Sequence, residues 1–135
     1  MDSTIKQIAA ECSMGSDEGR LAFPEVVAKL MRAGVERYHA DLLRAEKTYY
    51  LPSGESHVVA NAPLAARPAK DFVAAGIDAA VRAIQAQQID YAEFCARIAA
   101  AGCVGYFVSL AGRRAVYYGR TAEQHVELFP AAPRD

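Results

Sequence analysis

Ala33-Gly34-Val35-Glu36-Arg37-Tyr38, followed by Lys47-Thr48-Tyr49-Tyr50 and Glu55-Ser56-His57-Val58, decides the reading of this chain, because it occurs twice. Its second occurrence, 68 residues on, is Ala101-Gly102-Cys103-Val104-Gly105-Tyr106, Ala115-Val116-Tyr117-Tyr118 and Glu123-Gln124-His125-Val126. Residues 23–58 lie over residues 91–126 without a gap, and 11 of the 36 pairs are identical. Average composition gives about two or three identities by chance. So long a period, met only twice, reads as a doubled unit and not as a repeat array.

Within each copy the apolar spacing changes at the glycine. Before it, Val26, Val27 and Leu30, or Phe94, Cys95 and Ile98, mark one side of a helix. Pro24 suits the first turn of the earlier helix, and Asp90 with Glu93 resembles a capping box at the later one. Gly34 and Gly102 then end these helices. After the glycine the period is two: Tyr38, Ala40 and Leu42 share one face, as do Tyr106, Val108 and Leu110. A turn and a second short strand complete a hairpin, and 52–57 and 120–125 follow as tails. Upstream, Asp2 or Ser3 caps a helix carrying Ile5, Ile8 and Cys12, and Asp71 caps one carrying Val73, Ile77, Val81 and Ile84. The expected fold is α+β, an internally duplicated ααββ unit. Its two hairpins join in a four-stranded, mainly antiparallel sheet with helices packed on one face, related by a pseudo-twofold axis. One hairpin alone is marginal in water, which gives the doubling a physical reason.

Length fits a single domain over residues 1–135. The first unit spans about 1–60, a proline- and alanine-rich linker about 61–70, and the second unit about 71–130. A net charge of −1 gives no field to collect nucleic acid, and no apolar run approaches a membrane span. The first residues lack a secretion signal, so the expected location is cytoplasmic. Cys12, Cys95 and Cys103 are an odd count without a C-x-x-C pair, which argues against both a disulfide framework and a zinc cluster.

The motif set Ala33-Gly34-Val35-x-x-Tyr38, Lys47-Thr48-Tyr49-Tyr50-x-Pro52-x-Gly54-Glu55-x-His57 resembles the small, prophage-associated YbcV-like family. So does its partner, Ala101-Gly102-Cys103-x-Gly105-Tyr106, Tyr117-Tyr118-Gly119-Arg120, Glu123-x-His125-Val126-Glu127-x-Phe129-Pro130. The resemblance implies a domain of unknown function, sometimes labelled a phage envelope protein, and implies no catalytic residues.

Three groups of residues are candidates for chemistry. Glu55 with His57, and Glu123 with His125, place a carboxylate and an imidazole two apart on extended chain, where both point to one side. Such a pair suits metal ligation or an oriented catalytic imidazole, and equally a loop built the same way in both copies. Tyr49, Tyr50, Tyr117 and Tyr118 form two adjacent pairs, so one tyrosine of each faces the core and one faces out. Arg37, His39 and Asp41 alternate on the polar face, where the other copy has Gly105, Phe107 and Ser109. The expected function is a non-catalytic module binding a protein or small ligand on the exposed sheet face. The alternative is a small hydrolase or metal-binding enzyme using the Glu-x-His pairs, and a third reading is a structural phage component. No metal, no cofactor, no nucleic acid and no membrane partner is expected, and the chain is expected to be a monomer or weak homo-oligomer.

Overall fold

Two runs of helix, helix and three strands succeed one another along the chain. The computed structural model describes residues 1–130; residues 131–135, which the single-domain expectation includes, lie outside the described residues. Asp2 caps α1 (Ser3–Asp17) by accepting a hydrogen bond from the Thr4 amide. Pro24 lies in the first turn of α2 (Phe23–Arg32), and the Glu25 carboxylate accepts from the Ala22 amide. Then come β1 (Arg37–Asp41), β2 (Glu46–Tyr50) and β3 (Ser56–Ala60). The second run is α3 (Ala74–Gln85), α4 (Tyr91–Ala100), β4 (Cys103–Ser109), β5 (Arg114–Gly119) and β6 (Gln124–Leu128). Asp90 caps α4 through the Glu93 amide. Asp71 does not cap α3: that helix starts after Val73, whose own amide is held by the Ala101 carbonyl. Gly34 and Gly102 stand just beyond α2 and α4, at φ +86° and +89°.

The strands form one antiparallel sheet in the order β3-β2-β1-β4-β5-β6. This corrects the four-stranded expectation: the sheet has six strands, and each unit is ααβββ. The tails after the hairpins turn back and pair. Leu51 donates to the Glu55 carbonyl, and Gly119 donates to the Glu123 carbonyl, closing the same tight turn in both halves. The strands beyond, β3 and β6, are exposed on one face and only half buried on the other. Their period-two pattern is therefore too faint to read as a strand.

The β1–β4 pairing joins the halves. His39 faces Phe107, its own counterpart under the shift of 68. Arg37 faces Ser109, the counterpart of Asp41, and Asp41 faces Gly105, the counterpart of Arg37. Tyr38 likewise faces Val108, the counterpart of Ala40, and Ala40 faces Tyr106, the counterpart of Tyr38. On the helix-covered face Tyr38, Ala40, Tyr49, Tyr106, Val108 and Tyr117 are buried against Leu30, Ile77, Val81, Phe94 and Ile98. The three cysteines are free, Cys12 and Cys103 buried and Cys95 half buried. The helices depart from twofold symmetry. α1 packs on α4, while the equivalent contact between α2 and α3 is not made to the same extent.

The turn before β3 and β6 provides a test of backbone conformation alone. Gly54 has φ +93°, and its counterpart Ala122 has φ +68°. A Cβ at Gly54 would meet nothing within 4 Å. An L side chain in the left-handed region costs about 1 kcal/mol. We expect Ala122→Gly to raise and Gly54→Ala to lower the unfolding free energy, each by about 0.5–1 kcal/mol, in urea titrations. We also expect residues 1–67 alone, with β1 deprived of β4, to show no cooperative thermal transition.

Candidate functional site

The Glu-x-His residues occupy the two edges of the sheet. His57 lies in β3 beside Tyr49, and His125 lies in β6 beside Tyr117, both on the helix side. Five strand spacings separate these edges, about 24 Å. Neither histidine is bonded to the glutamate two residues before it. Glu55 pairs with the N-terminal ammonium, which is the main reason its carboxyl lies below the ordinary carboxylate range. Glu123 accepts from the Thr121 hydroxyl and amide at 2.6 and 3.2 Å, which lowers its carboxyl as well. The partner of His125 lies on its other side: Nε2 is 3.1 Å from Glu127 and 4.0 Å from Asp78. Asp78, His125 and Glu127 bring one ligand-type atom each within 4.8 Å of one another. Arg82 stands among them, 3.1 Å from Asp78 and 3.0 Å from Glu127. Its guanidinium already supplies the positive charge that a metal ion would bring. The group acts as an ion-pair network fastening β6 to α3.

The tyrosine pairs divide between the faces. Tyr49 and Tyr117 are buried under the helices, while Tyr50 and Tyr118 lie on the open face and are half buried. There the Arg37 guanidinium covers the Tyr50 ring at 4.0 Å. The counterpart of Arg37 is Gly105, and a Cβ at that position would stand 2.3 Å from the Tyr118 hydroxyl. The bare glycine lets Tyr118 cross β4 and share a 2.6 Å hydrogen bond with His39 Nε2. Burial lowers the His39 imidazole and raises the Tyr118 phenol, so both stay neutral at pH 7. Phe107 packs on His39 at 4.4 Å between ring centroids and is 45% exposed. Asp41 accepts from the Leu43 and Arg44 amides and closes the first hairpin turn; Ser109, its counterpart, accepts from the Gly112 amide.

Beneath the helices lies a cavity of about 640 Å³, bounded by the sheet and by residues of α2, α3 and α4. Counterpart residues of both halves line it, Tyr38 with Tyr106 and Val26 with Phe94 among them. Its floor is Tyr38, Lys47, Tyr106 and Tyr117; Val26, Val81 and Phe94 wall it, and Gln85, Gln87 and Gln88 lie exposed at its rim. Lys47 is only 3% exposed, and its Nζ lies 4.3 Å from the centroid of the Tyr91 ring. No hydrogen bond or ion pair among the described residues engages that ammonium. The Tyr91 and Tyr106 hydroxyls are 2.6 Å apart and bonded to each other, whereas those of Tyr38 and Tyr117 have no such partner among the described residues. Among the described residues every sealed side-chain nitrogen or oxygen is satisfied, so the unpartnered groups reach the cavity and are not shut in dry packing. Burial holds the Lys47 ammonium below its ordinary value, with Cys95, Asp17 and Cys12 opposing. Burial raises the Tyr38, Tyr106 and Tyr117 phenols, which keep their protons as donors.

Fold and cavity together define a small α+β protein whose helix-covered antiparallel sheet encloses a ligand-sized chamber with a lysine on its floor. The chain belongs to the DUF1398 family, a protein family of unknown function, whose family model matches residues 23–127. No curated protein matches it.

Lys47, Tyr38, Tyr91 and Tyr106 were not singled out in the sequence. A signal was present: Lys47 shares the inward side of β2 with Tyr49, and its counterpart is Ala115. A charged residue at an inward position, where the other copy has a small apolar one, breaks the local pattern. The lysine also makes a pH prediction. Below 10.5, its ordinary value, the unfolded chain binds a proton that the folded chain binds less readily, so the contribution of Lys47 to stability rises with pH up to that value. Thiols and phenols raised by burial act in the opposite sense as they ionise in the unfolded chain, so the comparison with Lys47→Met isolates the lysine. We expect wild type to gain urea resistance relative to Lys47→Met as the pH rises toward 10.5. Parallel curves would mean that the ammonium is solvated in the native protein.

Proposed function

We propose that this protein is a non-catalytic module that binds a small, largely apolar ligand in the cavity between the sheet and the helices. One observation supports the reading above others. A chamber of about 640 Å³ has apolar walls and a few convergent polar groups, the Lys47 ammonium and the Tyr38 and Tyr117 hydroxyls, that lack protein partners among the described residues. Sites for small molecules have this size and this mixture. A hydrolytic site would need a nucleophile and base held together. The carboxylates lining the cavity are committed elsewhere, Glu127 to Arg82 and Asp90 to the cap of α4. The prophage-associated, YbcV-like setting implied by the resemblance is part of this proposal, as is the absence of catalysis.

The test uses an uncharged, environment-sensitive dye, Nile red. Saturable binding at one dye per chain is expected for wild type. Ala115 is buried on the cavity lining, so Ala115→Phe fills the chamber. We expect this variant to keep its far-ultraviolet circular dichroism and to lose at least about tenfold in dye affinity. Failure of wild type to bind, or binding unchanged by Ala115→Phe, would reject the cavity as the site.

A further inference from the structure

We propose that the cavity receives a monoanionic amphiphile, a carboxylic acid with an apolar chain or ring, with its carboxylate on Lys47 and its body between the sheet and the helices. The inference rests on the ligand-binding reading of the cavity and adds the chemical class of ligand. Charge is the first argument. Lys47 is the one cation among the residues lining the chamber, and the two lining carboxylates are already held, Glu127 by Arg82 at 3.0 Å and Asp90 by the Glu93 amide at 2.9 Å. A buried ammonium without an ion-pair or hydrogen-bond partner among the described residues is costly, and an entering anion removes that cost. The second argument is hydrogen bonding. The Tyr91 and Tyr106 hydroxyls are bonded to each other and Tyr91 also to the Cys95 thiol, so the phenols free to donate are those of Tyr38 and Tyr117, which have no partner among the described residues. A carboxylate has two oxygens, one for the Lys47 ammonium and one for a phenol donor. The third argument is stoichiometry. One lysine neutralises one charge, so a phosphate dianion would bring a second charge with no partner into an apolar chamber. The counterpart of Lys47 is Ala115, which lines the same cavity, so the charge is placed off the twofold axis and defines a single head-group position.

The probes are octanoate, 1-octanol and octylammonium, each used near pH 7 to displace Nile red from the full-length protein. In wild type, octanoate is expected to displace the dye at about tenfold lower concentration than 1-octanol, the size expected of a charge-assisted hydrogen bond in a dry site. Octylammonium is expected to displace it least. Octanoate is also expected to raise the melting temperature of wild type in a saturable way. In Lys47→Met and Lys47→Gln the preference for octanoate over 1-octanol should vanish. Lys47→Met without ligand should melt above wild type, since the unpaired charge has gone. If 1-octanol equals or exceeds octanoate in wild type, anion recognition is refuted while the cavity reading stands. If none of the three displaces the dye, or the dye itself does not bind, the cavity reading falls and this proposal with it. The comparison within wild type decides the matter even if both Lys47 variants fail to fold.

Discussion

Pairing of β1 with β4 is the contact on which the rest of the molecule depends. Each half contributes three strands in a row, and those rows become one sheet only where Arg37–Asp41 meets Gly105–Ser109. The register at that seam, His39 opposite Phe107, sets which side chains of every other strand face the helices. Side chains alternate along a strand, so a slip of one residue would turn Tyr38, Ala40, Tyr106 and Val108 out to water. It would also bring His39 and Phe107 inward. The buried tyrosines that floor the cavity, and the aromatic cluster on the open face, are thus two outcomes of one pairing.

The two halves share one order of elements, and the positions at which their residues differ carry the chemistry. Equivalent positions hold Arg37 and Gly105, and the difference sends Tyr118 across to His39 while Tyr50 stays under a guanidinium. Counterpart positions hold Lys47 and Ala115, both of which line the cavity, and the difference puts a single ammonium on one side of it. A cavity lined by counterpart residues of both halves becomes one-sided only through such divergence, because a faithful repeat would line both sides alike.

The sequence carried the doubled order, the two inner hairpins and the helix ends, since these rest on local signals: glycine beyond α2 and α4, Asp90 at a cap, alternation in 38–42 and 104–110. It concealed β3 and β6 because an edge strand buries half of one face at most. Ser56–Ala60 and Gln124–Leu128 therefore show polar and apolar residues in no clean period. The Glu-x-His motif was visible, but the carboxylate nearest His125 in the fold comes from the opposite direction along the chain, Glu127, which strand pleating places on the same side. The cavity was least legible. It arises from the spacing between helices, which no single stretch of sequence encodes, and its one sequence trace is a lysine facing inward.

The outermost strands have a consequence for how the molecule behaves in a crowd. β3 and β6 are the two edges of the sheet, five residues each, and between them they carry a single acidic side chain and no lysine or proline. Each presents unpaired amides and carbonyls along its outer edge, with Val58 and Val126 about half exposed nearby. Natural sheets blunt such edges with charge, proline or bulges. Because the two borders are alike, an added strand that fits one fits the other, and growth by edge contact produces a ribbon with no closing step. The shortness of these strands and the helices laid over them on one face are what keep the sheet finite.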